Sequence, residues 1–309
     1  EKRLAEKITR LAGVCYSIEN LDGLLNHCFL PSAEVLNEQR EAARVALSKG
    51  LCLISGGPGT GKTTTVVKII ALLMAQYGPG FRMALTAPTG KAAMRLQQSV
   101  ASQIPLLTID DRIKNTLPRE AQTLHRLLGV RKHSHSFRHH AHRPLPWDVV
   151  IVDEASMVDL ALMSKLVDAL ADGSRLILLG DKDQLASVES GAVLSDCIDV
   201  LSENVVQLHT AHRFNEEIAA LAGHINRGNG SAAVQMLEDG NFSSVAGAGP
   251  NWFAACVDRY EKYLVNVEAI SSPDSLPFLF QSLNSFRILC ALKNGSLGVS
   301  GVNERMERS

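Results

Sequence analysis

The sequence is short of paired cysteines, of net charge and of long apolar runs, and each shortage removes a class of protein. Its six cysteines (Cys15, Cys28, Cys52, Cys197, Cys256 and Cys290) are scattered, with no C-x-x-C pair. That pattern argues against a thiolate zinc site, an iron–sulfur cluster or a disulfide frame, and for reduced thiols in a cytoplasmic protein. The 31 Lys and Arg nearly balance 32 Asp and Glu, leaving a net charge of −1. No global basic field exists, so contact with nucleic acid would have to come from a local patch. Lys or Asp interrupts the longest apolar stretches before they reach the roughly 20 residues that span a bilayer. No signal peptide is visible, and the sequence opens at Glu1 without Met, so it reads as a piece of something longer.

What remains is ordinary in bulk and specific in detail. At 309 residues and 46% hydrophobic, the chain is long enough for two compact domains. Residues 51–55 form an apolar run that breaks into a glycine-rich loop and then opens an apolar helix. Gly56 and Gly61 frame the spacing G-x-x-x-x-G-K-T, completed by Lys62 and Thr63. A polyphosphate is held by backbone N–H groups, and residues without a side chain let the backbone curl that closely around it. The helix then turns its unpaired N–H groups toward the phosphates. Gly57, Gly59, Thr60, Gly61, Lys62, Thr63 and Thr64 are the expected nucleotide contacts, with the Thr63 hydroxyl on Mg²⁺.

Five apolar runs, at 51–55, 83–86, 149–152, 176–179 and 205–208, alternate with helical patterns at 63–76, 90–103, 119–128, 160–170 and 216–226. Alternating buried strands and helices predict an α/β fold, a parallel sheet covered on both faces. Functional loops then belong at the carboxyl ends of the strands. Further helices are expected at 1–13, 32–48, 252–264 and 301–308, a strand at 287–292, and only connecting chain between 13 and 31. The run at 149–152 ends in Asp153 and Glu154, expected to hold Mg²⁺ and to activate the attacking water respectively. Gln184 follows the run at 176–179, where an amide could meet the γ-phosphate and the water. Gln39 lies upstream, with the donor and acceptor needed to read an adenine edge.

In this order the motifs resemble the superfamily 1 helicases, and among them the RecD family of motor subunits from RecBCD-type helicase–nucleases. The matching blocks are the Q motif at 37–40, motif I at 56–63, motif Ia (TAPTGKAA) at 86–93, motif Ib (QTLHRLL) at 122–128, motif II at 153–156, motif III at 180–185 and motif IV at 212–214. A weaker likeness runs from 288 to 307. The resemblance implies a P-loop, RecA-like motor domain over 36–204, preceded by a helical segment at 1–35 and followed by a partial second RecA-like domain over 205–309. It implies 5′-to-3′ translocation driven by ATP and Mg²⁺, in double-strand break repair and recombination, with RecB- and RecC-like subunits as partners. Arg213 would reach the γ-phosphate from the second domain. Thr86, Pro88, Thr89, Lys91, Thr123 and His125 would hold single-stranded DNA by its phosphates, without reading bases.

Residues 126–146 carry Arg126, Arg131, Lys132, Arg138 and Arg143 and five histidines, with no acid. A solvated loop, a metal site and a basic hairpin beside the DNA path are all compatible with that composition, and no Cys or carboxylate joins the histidines to favour the metal. The family places a strand-separating insertion here, over 130–147. No stretch matches motifs V and VI or the RecC-docking domain, so this chain by itself is expected to turn over nucleotide poorly. A free-standing RecD-like helicase and a nucleotide-switched loader remain the alternative functions.

Overall fold

A computed structural model describes residues 1–29, 34–131, 136–184, 193–209, 216–238, 252–268 and 272–309. Helices α1 (Lys2–Ala12), α2 (Leu21–Asn26) and α3 (Glu34–Ser48) precede β1 (Leu51–Gly56), α4 (Lys62–Tyr77), β2 (Met83–Ala87), α5 (Gly90–Gln103) and α6 (Asp111–Thr116). There follow β3 (Ala121–Thr123), α7 (Leu124–Leu128), β4 (Val149–Val152), α8 (Leu160–Ala169), β5 (Arg175–Gly180), α9 (Val193–Val200) and β6 (Val205–Leu208). The chain then runs through α10 (Glu216–Asn226), α11 (Gly230–Glu238), α12 (Trp252–Glu268), α13 (Leu276–Ser285) and α14 (Val299–Glu307).

All six strands lie parallel in one sheet, in the order β3-β2-β4-β5-β1-β6. Side chains alternate across it with the period of two that a pleated strand imposes. Cys52, Ile54, Ile151, Ile177 and Leu179 face one layer, with Ile69, Ile70 and Leu73 of α4. Leu51, Leu53, Val150, Val152, Leu176 and Leu178 face the other, where Leu4 and Ile8 of α1 join Met163 and Leu166 of α8. Helices cover both faces, as the continuous apolar runs predict. At the amino end of β5 the buried Arg175 guanidinium sits 3.6 Å from the Tyr16 ring centroid, a cation desolvated against an aromatic face.

Several expectations need correction. Residues 13–31 are more than a connector: Asn20, in the left-handed region at φ 50, caps α2 by accepting the Gly23 N–H at 3.2 Å, and Leu25 and Phe29 are fully buried. The helix expected over 119–128 is β3 followed by the five-residue α7. The strand at 205–208 does not open a second domain. It pairs with β1 and completes the first sheet, because its carboxyl end is in register with Gly56.

The chain divides into two compact units, Glu1–Ala219 and Ala220–Ser309. Among the described residues of the second there are helices and no strand, so the strand expected at 287–292 is not formed. Leu289 and Leu292 are exposed there, with no neighbouring strand to pair with. The Arg305 guanidinium covers the buried Phe253 ring at 3.8 Å.

Candidate functional site

The site forms where β1, β5 and β4 end side by side. β1 runs into the loop before α4, and two loop glycines take conformations that L side chains resist: Gly59 at φ 82 and Gly61 at φ 86. Gly56 has a steric reason as well, since an added Cβ would lie 2.6 Å from Thr60 Oγ1 and 2.8 Å from the Leu208 carbonyl. Buried Thr60 pins the loop by donating its hydroxyl to the Gly57 carbonyl at 2.9 Å. Lys62 folds back over the same loop, donating from Nζ to the Gly56 carbonyl and, at 3.0 Å, to the Gly57 carbonyl. Thr63 and Thr64 stand half-buried in the first turn of α4.

Burial holds the Lys62 ammonium below its ordinary pKa, and the carboxylates of Asp181, Asp153 and Glu154 oppose that shift. Those three acids end the two strands beyond β1. Asp153 is pushed up to about 6, first by desolvation and then by the neighbouring Glu154 charge. Its Oδ1 accepts the Glu154 N–H at 3.0 Å, and the lysine pulls the other way. Glu154 itself sits at φ 53. A left-handed conformation in a non-glycine costs on the order of 1–3 kcal/mol, and such strain gathers at sites where a side chain must be aimed. A lysine beside a glycine cradle suits a polyphosphate, and a hydroxyl with carboxylates supplies the oxygen ligands that a hard divalent cation takes.

Asp181 is the residue that sequence reasoning passed over. Strand order places β5 between β1 and β4, so the first side chain beyond β5 lies between the phosphate loop and Asp153. Asp181 is buried, and its Oδ1 accepts the Asp183 N–H at 3.0 Å. The signal was available: an acid directly after a wholly buried run, the same grammar as 149–153. Gln184 lies farther out on the turn, exposed, its N–H donating to the Asp181 carbonyl at 3.3 Å. Gln39 is buried on α3 against Gly61, whose added Cβ would meet its Nε2 at 2.6 Å. The preceding residue, Glu38, accepts both the backbone N–H and the Nδ1 of His209, each at 2.9 Å, which ties α3 to the end of β6. Arg213 and Leu185 lie outside the described residues.

The strand-binding set divides. Thr86 is fully buried and its hydroxyl donates to the Ile151 carbonyl at 2.8 Å, so it belongs to the sheet and leaves the DNA-facing group. Thr89 and Thr123 cap α5 and α7, accepting the N–H groups of Ala92 and Arg126, each at 3.2 Å. Ala87 and Thr123 are paired partners on β2 and β3, so both caps sit on one edge of the molecule. Pro88 is half-buried beside them, and Lys91 and His125 are exposed. The basic insertion starts there as a hairpin. Antiparallel bridges join Val130 to Phe137 and His140 to Arg143, while Lys132, His133 and His135 lie outside the described residues. Among the described residues no His, Cys, Asp and Glu gather as a metal site.

A family model described as an AAA domain matches residues 39–190. The chain is 43% identical over 288 residues to the RecBCD enzyme subunit RecD of Mycolicibacterium smegmatis, covering 88% of this chain and 50% of that protein. It is 31% identical to the subunit of the same name from Haemophilus influenzae, covering 95% of this chain and 54% of the relative. An ATP-dependent RecD2 DNA helicase from Deinococcus radiodurans is 42% identical over 144 residues, 47% of this chain and 17% of that one. A solved Pif1 helicase from Bacteroides in complex with ADP-AlF3 and ssDNA overlaps at TM-score 0.43 and 19% identity, covering 71% of this chain and 53% of that one, too loosely to bear on the site. The chain spans about half the length of the curated relatives it matches. On its glycine loop, its clustered carboxylates and these relatives, the chain belongs to the RecD family.

Proposed function

We propose that this chain supplies the nucleotide-binding motor domain of an ATP-dependent DNA helicase that works within a RecBCD-like assembly. The observation that supports it best is the grouping of Lys62 with Asp181, Asp153 and Glu154 at three adjacent strand ends, with capped helices one and two strands away. The loop N–H groups and Lys62 would bind the β- and γ-phosphates, and Gln39 the adenine edge. Thr63 and Asp153 would hold Mg²⁺, which supplies charge neutralisation on the phosphates when bound. Glu154 would orient the attacking water and accept its proton, and Asp181 would keep Lys62 charged while Gln184 contacts the terminal phosphate. Arg213 would stabilise the transferred charge from the far side of the nucleotide.

Single-stranded DNA would cross the edge formed by Thr89, Lys91, Thr123 and His125, held by its phosphates and therefore without sequence preference. The relatives are named as RecBCD subunits, which supports RecB- and RecC-like partners for this chain. Residues 220–309 would begin a second motor domain. The test is Lys62→Ala in the full-length protein carrying this chain: DNA-stimulated ATP turnover should fall on the order of a hundredfold, with single-strand binding retained. Unchanged turnover, or turnover in the unsubstituted protein that ignores added oligonucleotide, overturns the proposal.

A further inference from the structure

The aromatic ring at the base of the insertion has no role in the nucleotide site. Phe137 stands opposite Val130 on the returning arm of the hairpin, whose root is closed by Arg138 N–H to the Gly129 carbonyl at 2.8 Å and His139 N–H to the Leu128 carbonyl at 3.0 Å. Gly129, at φ 74, permits this closeness, because a Cβ there would lie 2.8 Å from the Arg138 Cβ. The Phe137 ring packs against the apolar layer beneath α7 and remains partly exposed. Its other neighbour is the exposed His125 imidazole, met edge-on at 5.8 Å between centroids and 61° between planes. His125 lies two residues past Thr123, at the end of β3.

The surroundings suit a nucleic-acid strand. Between Glu120 and Asp148 the sequence holds no acidic residue, while Arg126 and Arg138, each next in sequence to one of the two rings, and Arg131 are exposed. Phosphates and cations alone would hold a backbone and leave its bases in water. A fixed aromatic face next to that path gives one base something to stack on, and every base has a face to offer.

We propose that Phe137, flanked by His125, is a stacking platform for one nucleobase of the single strand, an inference that rests on the DNA-binding reading above. Its test uses the full-length protein carrying this chain, with Phe137→Leu, which keeps an apolar anchor without a π-face, and Phe137→Tyr, which keeps both. Each is titrated by fluorescence anisotropy with labelled oligothymidylate and with an abasic strand of equal length. The expected result is that Phe137→Leu weakens oligothymidylate binding about tenfold, leaves abasic binding unchanged, and that Phe137→Tyr behaves as the unsubstituted chain. An equal loss on both strands makes Phe137 a hairpin anchor and overturns the platform, as does no loss on either. If the unsubstituted full-length protein ignores both strands, the DNA-binding reading itself fails and the platform falls with it.

Discussion

In the first unit every residue of β2, β4 and β5 is buried, and helices drawn from along the whole unit close over both faces of the sheet. In the second unit the buried apolar residues among those described are Ala233, Phe253 and Val302, while Phe278, Phe280 and Leu289 stand open at 62%, 57% and 92% exposure. The two stretches do not differ in helical patterning. They differ in whether each apolar face meets another. A sheet with continuous apolar strands gathers partners from distant sequence, and each added helix shields residues already placed. Helices with single apolar faces and no sheet beneath them shield only a few.

That contrast can be broken in three ways. The largest effect belongs to the sheet: Leu53→Ala, at a fully buried position of β1, should lower stability by about 3–5 kcal/mol in urea unfolding. Phe253→Ala should leave that main transition where it was; a shared loss would mean that the units unfold as one. The next effect concerns the site, where burial is imposed on a charge. Asp153 has a folded pKa of about 6, above its ordinary 3.8, so the folded state resists its ionisation. Well below its ordinary 3.8 the carboxyl is protonated in folded and unfolded chains alike, and nothing is lost. As pH rises through 6 the folded chain is left carrying a destabilising charge. Asp153→Asn should therefore stabilise the chain by up to about 3 kcal/mol at pH 7.5, with the gain gone below about pH 3. A pH-independent gain would mean that packing, not charge, is the cause. The smallest effect is expected at the exposed Arg308–Glu304 pair of α14: Arg308→Ala should shift stability by less than about 0.5 kcal/mol, within the error of thermal unfolding.

The sequence made local features legible and non-local ones not. The five apolar runs between 51 and 208 all form strands, because an apolar run flanked by turns needs no knowledge of its neighbours to be recognised, whereas the strand expected at 287–292 does not form. Which sheet a strand joins is a different matter. The run at 205–208 looks the same whether it pairs with β1 or opens a new domain, and pairing is decided by residues 150 positions away. β3 was hidden inside a helical pattern because three residues are too few to show alternation. Thr86 was misjudged for the same reason: only the neighbouring β4 carbonyl reveals that its hydroxyl is already used. Lys62, Asp153 and Glu154 were legible because loop spacing and strand ends place them, whereas the part played by Asp181 depends on β5 lying between β1 and β4.

Gln39 and Gly61 occupy one volume between them. Any methyl group at 61 would overlap the amide at 39, and the backbone there is left-handed as well. Shortening position 39 to alanine would create the room but not the dihedral, so the pair cannot be exchanged by a simple swap of bulk. Two segments separated by a whole strand thus meet at one point, where the bare Cα of one leaves the room that the amide of the other fills.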